Sequence, residues 1–111
     1  MPIIDIELVC RNEQGAPPGS AAAIASALGA VFGSPPGRVW VRVRVLPASA
    51  YAENEREVPP EQLPVFVTVL LAHWPASEAM VKQIHDLTHA VASCLSCAPE
   101  QVHVQYAPEA A

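Results

Sequence analysis

Residues 38–45 read Arg38-Val39-Trp40-Val41-Arg42-Val43-Arg44-Val45, an unbroken alternation of apolar and polar side chains. A period of two puts the four valines on one face of a strand and Trp40 with the arginines on the other. That is a strand with one dry face and one polar face. Immediately upstream, Gly33-Ser34-Pro35-Pro36-Gly37 is a stop signal. The alanine-rich stretch Ala21 to Phe32 before it places Ile24, Leu28 and Val31 on one helical face, with Ser20 at the expected N-cap. A polar, proline-rich loop from Arg11 to Gly19 separates this helix from Pro2-Ile3-Ile4-Asp5-Ile6-Glu7-Leu8-Val9, which is β-branched and partly alternating.

Downstream, the same plan recurs. Pro47 to Pro64 is an irregular connection crowded with Glu53, Glu55, Glu57, Glu61, Pro59, Pro60 and Pro64. Val65 to Ala72 is an apolar strand, and Pro75-Ala76-Ser77-Glu78 begins a helix with proline at or near its first turn. Met80, Ile84, Leu87, Val91 and Leu95 form one stripe on that helix, which is expected to run to about Cys97. Ala98-Pro99-Glu100-Gln101 breaks it, and Val102 to Tyr106 alternates again. The breaks SPPGRVWV and APEQVHVQ occupy matching places, as an internal duplication would produce.

Each strand-helix-strand unit predicts two parallel strands joined by a right-handed crossover. The expectation is a single α+β domain over 1–111, with units 2–46 and 64–107 and a linker 47–63. Both helices should lie on one side of a single four-stranded sheet. The opposite face then carries Asp5, Glu7, Arg38, Trp40, Arg42, Arg44, His103 and Gln105, a mixture suited to a wet interior where subunits meet.

The chain is 51% hydrophobic and only 15% charged over 111 residues, apolar for so small a surface, which points to self-association. A net charge of −5 argues against nucleic-acid or anionic-membrane partners. No apolar run reaches the length of a membrane span. The opening MPIIDIELVC has no basic leader, and Cys10, Cys94 and Cys97 are an odd count. Reduced thiols in a cytoplasm are the simplest expectation.

With its MPIIDIELV opening and two β-α-β units, the chain resembles the tautomerase superfamily. GSPPGRVWVRV looks like the segment before the second strand in the migration-inhibitory-factor group, and CAPEQVHVQY like the segment before that group's last core strand. VTVLLAHWPASEA is similar to the matching region of the malonate semialdehyde decarboxylase group. The resemblance implies a trimer of fused units with sites at subunit interfaces. It also implies keto–enol tautomerisation of a small 2-oxo or unsaturated carboxylate, with Pro2 as the catalytic base once Met1 is removed. No cofactor and no metal are implied.

Some positions depart from the resemblance. Ser34 stands where the migration-factor group has lysine, and His103 and Gln105 where it has tyrosine and asparagine. Trp40 stands where short tautomerases have an arginine. Arg11 lies one residue from another of their arginines. Trp74 and Ala76 replace the decarboxylase arginines.

The physical case for Pro2 is that burial disfavours a charged secondary amine and lowers its pKa towards neutrality. The plainer reading is a proline that merely starts a strand. Arg11 is the preferred carboxylate ligand, being bidentate by nature. Arg42 and Arg44 either line a pocket or pair with Asp5 and Glu7 on the neighbouring strand. His103 is a candidate acid partner for Pro2 of an adjacent subunit, or a solvated or interface histidine, and Trp40, Gln105, Trp74 and Tyr51 are candidate pocket walls. His85 and His89 have metal-ligand spacing without an evident third ligand, so no metal is expected. Cys94 and Cys97 sit at a helix C-terminus, the wrong end for a reactive thiolate. Two other functions fit the pattern: a non-catalytic subunit or interaction module on the tautomerase fold, and a ferredoxin-like small-ligand-binding module. In the latter each crossover would skip a strand.

Overall fold

The computed structural model describes residues 2–11 and 18–110. Met1, whose removal is expected, and residues 12–17 of the proline-rich loop lie outside the described residues.

The elements follow in the order β1 (Ile3–Cys10), α1 (Ser20–Phe32), β2 (Trp40–Pro47), β3 (Val65–Leu70), α2 (Ser77–Leu95) and β4 (Val102–Tyr106). Between β2 and β3 lie two short 3₁₀ turns, Ala48–Ala50 and Pro60–Gln62, and a third, Pro99–Gln101, precedes β4. The sheet order is β2-β1-β3-β4. β1 and β2 are parallel, β3 and β4 are parallel, and the two units join through the antiparallel β1–β3 pair. Each crossover therefore connects adjacent strands, which excludes the ferredoxin-like arrangement.

The register explains the core. Val43, Ile6, Val67 and Val104 form one row across the sheet, and Val41, Ile4, Val69 and Tyr106 the next. Those rows face the helices, where Ile24 and Leu28 of α1 meet Leu87 and Val91 of α2 in one buried cluster. Both helices thus cover the same face. Of the four valines predicted to share it, Val39, Val41 and Val43 pack against the cluster, whereas Val45 is 42% exposed. β2 is an edge strand with a neighbour on one side only, so its apolar face is incompletely covered.

The helix ends depart from the sequence reading in detail. Gly19, not Ser20, is the N-cap of α1, with φ 80° and no side-chain cap. The chain enters the helix through a left-handed residue, which glycine adopts at little cost, and Ser20 becomes the first helical residue. Pro75 stays outside α2, whose N-cap is Ala76. α2 ends at Leu95 because Ser96 turns left-handed (φ 55°) and the Cys97 N–H folds back to the Ala92 carbonyl. β3 likewise stops at Leu70.

Pro2 and Pro64 are both buried, each immediately before the first strand of its unit. The Pro2 carbonyl accepts the Trp40 N–H at 3.0 Å, and the Pro64 carbonyl accepts the Val9 N–H at 3.2 Å. Beyond β4 the chain keeps following β3, with Ala107 N–H to the Val69 carbonyl and Ala110 N–H to the Leu71 carbonyl, both 2.9 Å. Among the described residues no helix is long and apolar enough to cross a membrane.

Candidate active site

The helix-free face of the sheet is built by the same alternation, one residue out of phase with the core. Its rows are Trp40–Ile3–Leu70, then Arg42–Asp5–Thr68–Gln105, then Arg44–Glu7–Phe66–His103. In the middle row Arg42 donates from Nε and Nη2 to the two Asp5 carboxylate oxygens at 2.6 and 2.8 Å. Gln105 donates to the Thr68 hydroxyl at 3.1 Å. The Arg42 hydrogen bonds, helped by the Arg42 and Arg44 charges, hold the Asp5 carboxyl below its ordinary pKa, against a smaller opposing effect of desolvation. Of the two arginines expected either to line a pocket or to pair, Arg42 pairs. Arg44 faces Glu7 in register without an ion pair, and both line an open depression of about 460 Å³ with Asp5, Phe66, Thr68 and Gln105.

An aromatic chain crosses the end of this face away from Pro2. Phe66 stands 6.0 Å from His103 and 5.9 Å from Tyr51, centroid to centroid. The Tyr51 hydroxyl donates to Glu53 at 2.6 Å, which raises its pKa. Phe66 and Thr68 were not singled out from the sequence. Their period-two place in VFVTVL put them on the polar face, but only the β1–β3 register sets them against Glu7 and Asp5.

Pro2 occupies the other end of the sheet. Trp40 and Leu70 flank Ile3 there, and Trp74 follows β3 at the same end. Trp74 is pinned by the C-terminal segment: its backbone N–H donates to Glu109 at 2.8 Å and its indole N–H to the Ala107 carbonyl at 3.2 Å. Glu109 was a further residue not anticipated. Trp40 donates its indole N–H to the Gly37 carbonyl at 3.1 Å and remains 51% exposed. This end therefore presents two anchored but exposed indoles beside a buried proline.

The other expected site residues are distant from Pro2 within one chain. Arg11 follows the end of β1, about 30 Å from Pro2 at about 3.4 Å per residue. Its guanidinium donates to the Val58 carbonyl at 2.9 Å. His103 is level with Glu7 and two strands away from β1, which places it about 20 Å from Pro2. A single chain brings together Arg42 with Asp5 and Gln105 with Thr68, but not Pro2 with either His103 or Arg11. A separate depression of about 590 Å³ lies between α1 and the Gly33–Gly37 turn. Its lining has no titratable side chain, so it offers no acid or base. Among the described residues no group of three or more His, Cys, Asp and Glu side chains is placed to hold a metal ion.

No protein-family model and no curated protein sequence matches the chain. Solved structures do. A native fused 4-OT is similar at 19% identity with a TM-score of 0.74, over 95% of this chain and 84% of the other. Other fused 4-OT structures of the same similarity are described as symmetric and asymmetric trimers. Pt0534 inactivated by 2-oxo-3-pentynoate is similar at 16% identity and a TM-score of 0.72, over 95% of this chain and 83% of the other. Macrophage migration inhibitory factor from Oncomelania hupensis is similar at 18% identity and a TM-score of 0.69, over 97% and 73%. At such identities the likeness is one of fold: the chain has the two-unit fold of the fused 4-OT and macrophage migration inhibitory factor structures.

Proposed function

We propose that this tautomerase-fold chain catalyses a 1,3-proton shift in a small 2-oxo or unsaturated carboxylate, with Pro2 as the base after loss of Met1. The observation that carries the reading is the burial of Pro2 at the head of β1, where its carbonyl is fixed by Trp40. A secondary amine at that place is disfavoured in its charged form and is free to accept a proton at neutral pH. For an enol substrate the amine takes the hydroxyl proton and a proton is delivered to carbon, giving the keto form. The balance needs no oxidant, reductant or cofactor.

The distances within one chain imply a site shared between copies. The trimers described for fused 4-OT support a homotrimer here, with the polar sheet faces turned inward. In that assembly a neighbouring subunit supplies what Pro2 lacks on its own chain. His103 is the acid partner and Arg11 the carboxylate clamp, while Arg42, Arg44, Trp40 and Gln105 line the approach. Inactivation of Pt0534 by a 2-oxo acid supports the substrate class. Three free cysteines accord with a cytoplasmic location.

The test begins with the intact mass of the protein, which should lack one methionine residue. Ketonisation of a small 2-enol acid, followed by loss of its enol absorbance, should then exceed the buffer rate and collapse in Pro2→Ala. Retained Met1, or equal rates for both proteins, would overturn the reading. A second reading, a non-catalytic trimeric module, is favoured by the engagement of Arg42 with Asp5 and of Arg11 with Val58. It predicts a trimer by sedimentation with no rate above buffer.

A further inference from the structure

The outward face of α2 carries a cluster that proton transfer at Pro2 does not use. His85 and His89 lie one helical turn apart, both exposed, with ring centroids 4.4 Å apart and planes tilted by 41°. His85 Nδ1 is 3.2 Å from one Asp86 carboxylate oxygen, and the other oxygen accepts from Lys82 Nζ at 2.5 Å. The carboxylate thus engages one ring nitrogen of His85 and leaves Nε2 as the ligating atom. A carboxylate behind a histidine is the usual device for fixing the ring and raising its basicity towards a metal. Lys82, the cation beside the cluster, has its charge compensated by the same Asp86.

We propose that His85 and His89 form a chelating site for a borderline divalent transition metal such as zinc, nickel or copper, with Asp86 orienting His85. Two neutral imidazoles suit these ions and not magnesium or calcium, which take oxygen ligands. No third protein ligand converges among the described residues, so water completes the coordination and the bound ion is exchangeable. The site sits on the helix layer, on the far side of the core from the polar sheet face.

Calorimetric titration of the untagged protein with Ni²⁺, Zn²⁺ and Mg²⁺ tests this. One Ni²⁺ or Zn²⁺ should bind per chain, and Mg²⁺ should not. His85→Ala and His89→Ala should each weaken binding at least tenfold, and Asp86→Asn by about tenfold or more. Alanine is the better helix former at exposed positions, so these variants keep their fold, as circular dichroism would verify. Cys94→Ser should bind as the parent does. Absence of saturable binding, binding unaltered in both histidine variants, or binding lost in Cys94→Ser would overturn the proposal.

Discussion

Arg42 and Asp5 face each other across the parallel β1–β2 pair, and the guanidinium grips both carboxylate oxygens, at 2.6 and 2.8 Å. Bidentate geometry is the strong form of this contact, yet both side chains remain more than a third exposed, so water screens it. The pair fixes register more than it stabilises the fold.

The Asp5 carboxyl has its pKa lowered in the folded chain, chiefly by the Arg42 hydrogen bonds. Its contribution is therefore present above the unfolded carboxylate range, near pH 4, and is lost as pH falls through the lower folded value. Asp5→Asn should lower the urea midpoint at pH 7 by about 0.5 M or less. The difference from the parent should fade as the titration is repeated towards pH 2. A difference that persists undiminished in acid would assign the effect to packing instead.

Leu87 has no exposed surface and sits where α2 meets the cluster formed by Ile4, Ile24 and Leu28. Leu87→Ala should destabilise the chain by about 2–5 kcal/mol, the transfer and cavity cost of a buried leucine. Urea unfolding at fixed protein concentration measures it. A loss below about 1 kcal/mol would mean that the helix layer collapses onto the gap.

Two helix ends turn through left-handed residues of opposite suitability, Gly33 at φ 60° and Ser96 at φ 55°. A Cβ on Gly33 would meet nothing within 4 Å, so Gly33→Ala isolates the backbone penalty. Thermal unfolding should show a cost of about 1 kcal/mol for it. Ser96→Gly should gain about 0.5–1 kcal/mol in the same assay.

On the proposed reading, Pro2→Ala retains a removable methionine but exchanges the ring amine for a primary one. The rate constant for ketonisation should fall by about 10²–10⁴, the span of a positioned acid–base group, while the sedimentation coefficient stays unchanged. A fall accompanied by dissociation would mark Pro2 as structural.

Most of the architecture was legible because alternation and helical spacing record burial directly. Residues 38–45 announced a strand with one polar face, and β2 is that strand displaced by two residues, Trp40–Pro47. Periodicity has no signal for which strand lies beside which, and the pairing of β1 with β3 decides what Asp5 and Glu7 meet. That is why Thr68 and Phe66 went unremarked, whereas the Arg42–Asp5 contact, across β1 and β2, was one of the two choices that alternation left open. Ser20 looked like a cap from its chemistry, but a left-handed Gly19 moved the helix start by one residue. Arg11 and His103 were assigned to the chemistry at Pro2, His103 from an adjacent subunit, and strand direction and rise separate both from Pro2 within one chain. The strand read over Pro2 to Val9 already carries the Arg11 distance, whereas that of His103 needs the strand order β1-β3-β4.

The chain contains a second proline in the place that Pro2 holds. Pro64 opens the other unit, is equally buried, and lies at the opposite end of the antiparallel β1–β3 pair. Its nitrogen, however, is locked in the amide that joins it to Leu63, so it has neither a proton to lose nor a lone pair to offer. On the proposed reading, joining two like units in one polypeptide leaves one end of the chain to carry an amine and silences its counterpart. The covalent joint itself makes the two halves unequal, and cutting it ahead of Pro64 would restore their parity.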